Sequence, residues 1–265
     1  MTLREHGYLS PNMGIFIEDA RAAHAQWFRC ADSLNAFAQA CLTSSDLRVP
    51  KHDNRRLLAS LLLVRLASGF QGVILLGERG MITEARYVLR SILEIVFNIA
   101  ATVKDPDFPL KSVYRTLRHN RTLANVLIEL PPELIHRKIS REDLIRREAE
   151  LKKDIGDSGV AKMTVEEIAR SGGLADLYET AYRELSSPAH VLVGDLDAHV
   201  TADVNGEIQK LSWGPNRDAI PDMIDLAGRF LLIGLHHIIE LFELKVFEPQ
   251  HDACWQQLKR LEDQQ

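Results

Sequence analysis

Residues 61–97 read LLLVRLASGFQGVILLGERGMITEARYVLRSILEIVF. Two apolar runs flank a short polar interruption, GERG at 77–80, and that interruption decides the fold. Glycine is the residue expected just past a helix C-terminus, so the stretch splits into two helices joined by a tight turn. The apolar periodicity extends outward on both sides and predicts an antiparallel pair over about 53–78 and 81–103. The first run, 61–76, is broken by Arg65, Ser68 and Gln71, whereas a membrane span asks for about 20 largely apolar residues. The pattern predicts a buried helix of a soluble bundle and no membrane partner.

The same period recurs on either side of this pair. Ile15, Ala22, Trp27, Ala31, Leu34, Phe37 and Cys41 predict one long helix after Pro11, an N-terminal segment (1–50) packed on the bundle. The loop TSSDLRVPKHDN separates it from the bundle domain, 51–247. KDPDFP stops the helix that ends near 103, and another runs from about Leu110 to Leu130, where Pro131 and Pro132 end it. Residues 133–153 are charged nearly all round and predict an exposed helix projecting from the core, held in part by i,i+4 pairs such as Glu142 with Arg146. Thr164 with Glu167 forms a capping box before a short helix ending at Gly172-Gly173, and a further helix follows through Leu185. The period then changes. AHVTADVNGEIQKLSW alternates around Asn205-Gly206, which predicts a small β-hairpin insert over about 198–213. Helical spacing returns from about Arg217 to Phe247, and 248–265 read as a polar tail closing in a short helix. The fold class is all-α, a helical bundle with one small hairpin.

Composition narrows the function classes. An apolar content of 46% in 265 residues supplies a real core, and a formal net charge of -5 excludes nucleic-acid binding through overall charge, leaving only a local basic surface. Cys30, Cys41 and Cys254 are odd in number and far apart, which fits a reducing compartment. MTLREHGYLSPNM has neither the apolar core of a signal peptide nor the pattern of a transit peptide, and predicts a cytoplasmic protein.

YRELSSPAH, residues 182–190, is the stretch that speaks most clearly of chemistry. Arg183 and His190 share a face if the helix is unbroken, with Cα atoms about 10.5 Å apart. If instead Ser187 caps a new turn beginning at Pro188, His190 folds back toward Arg183. Either geometry can bring both onto one phosphate: histidine moves protons near neutral pH, and a guanidinium offers a planar fork of donors to phosphoryl oxygens. The competing reading is structural, with Arg183 on helix-terminal carbonyls and His190 a satisfied, half-buried histidine.

Three further constellations stand beside it. Arg86, Arg90 and Glu94 are spaced i, i+4, i+8 on a largely apolar helix, so Arg90 and Glu94 form either a supporting polar pair in a pocket or an ion pair that fixes helix register. Lys111, Arg115, Arg118 and Arg121 make a basic stripe. From 111 to 153 there are eleven Lys or Arg against six Asp or Glu, so Arg115, Arg118 and Arg121 are candidate contacts to a nucleic-acid backbone or else a solvated face. His236, His237 and Glu240, and separately Asp195, Asp197 and His199, lack the spacing of an HExxH or a di-iron bundle, so no metal and no cofactor is expected.

With these residues in place the chain resembles a bacterial all-helical family of unknown function. The likeness rests on a Gly-x-x-x-Glu-Ala helix with Arg and Glu beyond it, here GMITEARYVLRSILE, followed by Tyr-Arg-x-x-Ser…His, here YRELSSPAH, and covers roughly 55–245. YRELSSPAH also resembles the HEPN superfamily, whose signature is an arginine and a histidine a few residues apart near the end of a helical bundle. That resemblance implies an HEPN-like, metal-independent RNase with Arg183 and His190 as the catalytic pair. It also implies a homodimer acting on RNA in toxin–antitoxin or antiviral defence systems, with an antitoxin or defence protein as partner. The same resemblance leaves open a non-catalytic module that binds a nucleotide or a partner. Glu184 follows the arginine where HEPN chains usually carry Asn, Asp or His, Pro188 lies inside the motif, and VLVGD lacks the tyrosine common in the toxin branch. The apolar stripe of FLLIGLHHIIELF predicts the face on which two copies pair.

Overall fold

The computed structural model describes residues 6–134, 140–156, 159–160, 162–189, 200–211 and 213–264. It is mostly helical, and the helices are α1 (Met13–Ala23), α2 (Ala25–Leu42), α3 (Asn54–Gly77), α4 (Ile82–Lys104), α5 (Phe108–Glu129), α6 (Arg141–Gly156), α7 (Val165–Ser171), α8 (Ala175–Leu177), α9 (Arg183–Ala189), α10 (Ile220–Phe242) and α11 (Glu248–Glu262). Two short strands, β1 (Val200–Ala202) and β2 (Ile208–Leu211), pair antiparallel with a bulge at Thr201/Ala202. Asn205 and Gly206 lie between them, with Gly206 at φ +83°.

The α3–α4 pair forms where the sequence places it. Asp53 accepts from the Arg56 backbone N–H at 2.9 Å and so caps the start of α3. At the turn between the helices Gly80 adopts φ +68°, and a Cβ there would lie 2.7 Å from the Asn216 backbone nitrogen, which donates to the Gly80 carbonyl at 3.0 Å. Only glycine serves both needs. Ala85, Leu89, Ile92, Val96 and Ile99 bury one face of α4, the spacing of an amphipathic helix. α10 is the hub, packed against α2, α3, α4 and α11. At Gly234 it approaches α3 so closely that an added Cβ would sit 2.3 Å from Leu66 Cδ2.

Several boundaries differ from the sequence reading. The expected first helix breaks at His24 (φ -115°, ψ 36°), where its backbone N–H still bonds Ala20 but the chain changes direction into α2. The helix expected to reach Phe247 ends at Phe242. Glu243 turns left-handed at φ 56°, and the Leu244 N–H bonds back to the Ile239 carbonyl at 3.0 Å while Leu244 is buried. That is a helix stop fixed by an apolar residue beyond it rather than by glycine. The segment read as a polar tail is α11, with Cys254 and Leu258 in the core. The charged helix spans 141–156 and packs against α5 through buried Leu151, and part of the stretch expected to carry it lies outside the described residues.

The stripe FLLIGLHHIIELF is not available to a second copy. Phe230, Leu231, Leu235 and Ile238 are fully covered by the chain's own helices. Exposed apolar side chains lie instead on α3, at Leu57, Leu61, Val64 and Leu75. By length and composition α3 could cross a membrane. Its opposite face, Leu63, Leu66, Phe70 and Val73, is buried in the bundle as a core helix would be.

Candidate functional site

Of the two segments singled out in the sequence, GMITEARYVLRSILE packs against the described part of YRELSSPAH, 182–189, because α9 lies on α4. Their seam is polar. On α4 the row Arg86, Arg90, Glu94 faces α9, as i,i+4 spacing dictates. Arg90 reaches across it, donating from Nη2 to Tyr182 Oη at 2.7 Å and from Nε to Ser186 Oγ at 3.1 Å. Tyr182 Oη in turn donates to Glu94 Oε1 at 2.8 Å, and the Arg90–Glu94 pair closes the triangle at 3.3 Å. One phenol thus serves a cation as acceptor and an anion as donor, both roles a hydroxyl can fill at once.

Packing holds this triangle in place. The Arg90 guanidinium lies 5.0 Å from the Tyr182 ring centre, and Tyr182 stacks on Tyr178 at 5.0 Å and tilts against Phe97 at 5.9 Å. Burial, followed by the neighbouring Glu94 carboxylate, pushes the Tyr182 hydroxyl above its ordinary pKa. Tyr182 therefore stays protonated and available as a donor. Ser186 Oγ donates to the Tyr182 carbonyl at 2.7 Å. Arg86 Nη2 meets Glu184 at 3.1 Å, while its Nε is buried without a hydrogen-bond partner.

Residues Tyr178–Tyr182 form a π-helical turn, a widening of the ladder that often marks functional positions. Arg183 opens α9 directly after it, and the helix runs on through Pro188 to Ala189. The expected break after Leu185 with a Ser187 cap does not occur. Pro188 lacks the N–H that would bond the Glu184 carbonyl, yet buried Leu185 and the Arg90 contacts to Tyr182 and Ser186 tie the turns before it to α4.

Arg183 stands on the solvent side of this platform. It is 62% exposed, pairs with Glu179 at 2.8 Å, and lies 5.8 Å from the Tyr178 ring centre. His190 lies outside the described residues, as do Asp195, Asp197 and His199. Arg90 and Glu94 are brought together with Tyr182 and Ser186, the Tyr and Ser of the Tyr-Arg-x-x-Ser pattern, to which the sequence reading assigned no role. A signal was present, since Tyr182 and Ser186 are themselves i,i+4 partners on one helical face.

The basic stripe is largely committed within the chain. Arg121 pairs with Glu148 on α6 at 2.7 Å and Arg118 donates to the Val160 carbonyl, so both guanidinia hold neighbouring segments of the chain. Arg115 is half-buried and makes no ion pair among the described residues. A cleft of about 480 Å³ opens where Lys51, His52 and Arg55 face Asp107 and Leu110, but Arg55 is spent on the Thr102 and Val103 carbonyls. His236, His237 and Glu240 come together on α10.

A family model described as a family of unknown function (DUF5677) matches residues 56–208, more than half of the chain and both segments that build the seam, and the chain belongs to that family. No curated protein and no solved structure matches it.

Proposed function

We propose that the chain is an HEPN-like bundle with a hairpin insert, working as a metal-independent ribonuclease in which Arg183 holds the scissile phosphate and His190 moves the proton. The supporting observation is the docking of residues 182–186 on α4 through Arg90, Tyr182, Ser186 and Glu94, which leaves Arg183 facing solvent on a fixed base. Its pair with Glu179 is an exposed i,i+4 contact, worth about 0.5 kcal/mol or less, and a phosphate displaces it readily. In the reaction the imidazole takes the 2′-hydroxyl proton as O2′ bonds to phosphorus, the P–O5′ bond breaks, and the leaving oxygen takes a proton from water. The guanidinium offsets charge on the non-bridging oxygens. Arg115 adds a backbone contact, and a role as a toxin or defence effector in the cytoplasm, held by an antitoxin-like or defence partner, follows from the same reading.

Pairing of two copies belongs to this proposal, on α3 rather than α10. Leu57, Leu61, Val64, Ser68, Gln71 and Leu75 are exposed at alternating spacings of four and three, the repeat of a two-stranded helical seam that is complementary to itself.

A second reading, binding without turnover, is favoured by one observation. Arg183 over Tyr178 is a guanidinium beside an aromatic face, suited to a nucleotide. Expression of the wild-type chain in bacteria separates the two. The ribonuclease reading expects growth arrest with RNA degradation, abolished by His190→Ala and Arg183→Ala, poorly restored by Arg183→Lys, and indifferent to chelators in the purified reaction. RNA left intact from pH 6 to 8 with and without metals, with both alanine variants behaving as wild type in cells, refutes it.

A further inference from the structure

On α10, three potential ligands converge at the far end of α4 from the Arg90–Tyr182 seam. The ligand atoms of His236, His237 and Glu240 all lie within 4.8 Å of one another. The helix explains the grouping: His236 and Glu240 are one turn apart, and His237 is i,i+3 to Glu240. His237 is the fixed member. Its side chain is 7% exposed, and its Nδ1 is buried with no hydrogen-bond partner among the described residues, 3.6 Å from Glu240 Oε2. A buried ring nitrogen without a partner is destabilising, and its direction toward Glu240 points to a ligand.

We infer that His236, His237 and Glu240 form a binding site for a divalent transition cation, with Zn²⁺ the best fit to two imidazoles and one carboxylate. Tetrahedral bonds of about 2.05 Å place ligand atoms about 3.3 Å apart. The exposed side chains of His236 and Glu240 are free to close the remaining distance onto the anchored His237.

The His251 ring is tilted against that of His236, 5.7 Å between centres, but it is not one of the three clustered ligands. Its Nε2 lies 3.0 Å from the buried Leu232 carbonyl and must donate to it, which leaves the 3.3 Å approach of the Trp255 indole N–H as a packing contact, and its Nδ1 lies beside Asp252 Oδ1 at 3.7 Å, outside the cluster. Three protein ligands and an open position therefore remain. Lys104, at the C-terminal end of α4, is the nearby positive charge that opposes the ion. Ten residues of helix, about 15 Å, separate Lys104 from Glu94, so this site is distinct from the seam and independent of the ribonuclease reading.

The test uses the full chain without a histidine tag, stripped with EDTA, dialysed and titrated with zinc chloride against a chromophoric chelator. One zinc per chain is expected, with a rise in Tm. Glu240→Gln and His236→Ala, both at exposed positions and both checked for fold by circular dichroism, are expected to weaken binding by about tenfold or more, at least the loss that removing an outer-shell partner brings. Lys104→Gln is expected to tighten it. Cobalt substitution should give visible absorption bands that Glu240→Gln removes. Absence of zinc binding by the wild-type chain, or equal affinity in folded Glu240→Gln and His236→Ala, overturns the site.

Discussion

Replacing Tyr182 by phenylalanine tests the seam with the smallest change. The variant keeps the ring, and with it the stack on Tyr178 and the contact with Phe97, and removes one oxygen. That oxygen accepts from Arg90 at 2.7 Å and donates to Glu94 at 2.8 Å. Hydrogen bonds to charged groups contribute about 1.5–3 kcal/mol each. Arg90 and Glu94 are each 29% exposed and remain paired at 3.3 Å, so water and their mutual contact recover part of the loss. The expected net cost is about 1.5–3 kcal/mol, read by urea denaturation with an unchanged m-value. The pH dependence carries a second signature. The native Tyr182 pKa is raised, chiefly by burial, so its contribution is complete below the unfolded tyrosine value of about 10 and is lost as pH rises through the native value. The stability gap between wild type and Tyr182→Phe should therefore narrow above about pH 10. Equal stability at pH 7, or a gap that stays constant to pH 11, would refute the bridging role of the hydroxyl.

Two more outcomes follow from the core. Glu243→Gly should stabilise the chain by about 1 kcal/mol, because a left-handed residue with a Cβ carries about 1–2 kcal/mol of strain that glycine lacks; a loss of stability in thermal melts would contradict this. Burial pushes the Cys30 and Cys41 thiols up to about 12 and raises Cys254 as well. All three should react with a thiol reagent at pH 8 only at the rate of unfolding, and fast labelling of the native chain would show that this core is open.

The α3–α4 pair was legible because its information is local: two apolar runs at helical period and a glycine turn. The stops that were missed depend on distant contacts. Nothing in the residues around His24 marks a break, and the end of α10 at Glu243 is set by the burial of Leu244, where a reading that looks for glycine sees an uninterrupted helix. Pro188 argues for a break by its own chemistry. The helix continues past it because the turns before it are fastened to α4 by Arg90. The Arg90–Glu94 pair was visible in i,i+4 spacing, but its partners sit 88 to 96 residues further along the chain, and only the folded bundle shows that Tyr182 joins the two charges.

The proposed reaction, cleavage of RNA through the neighbouring 2′-hydroxyl at the Arg183 face of this seam, leaves a chemical signature on its products. The most direct measurement incubates purified protein, in EDTA at neutral pH, with one RNA sequence in unmodified and fully 2′-O-methylated forms, and identifies the product ends. Cleavage of the unmodified strand to 2′,3′-cyclic phosphate ends, with the methylated strand intact, is the expected result. His190→Ala is expected to lower the rate by about 10²–10⁴, the loss that follows when a proton-transfer group is removed. Cleavage of both strands, an unchanged rate in His190→Ala, or no cleavage of either strand by the wild-type chain would contradict the proposed reaction.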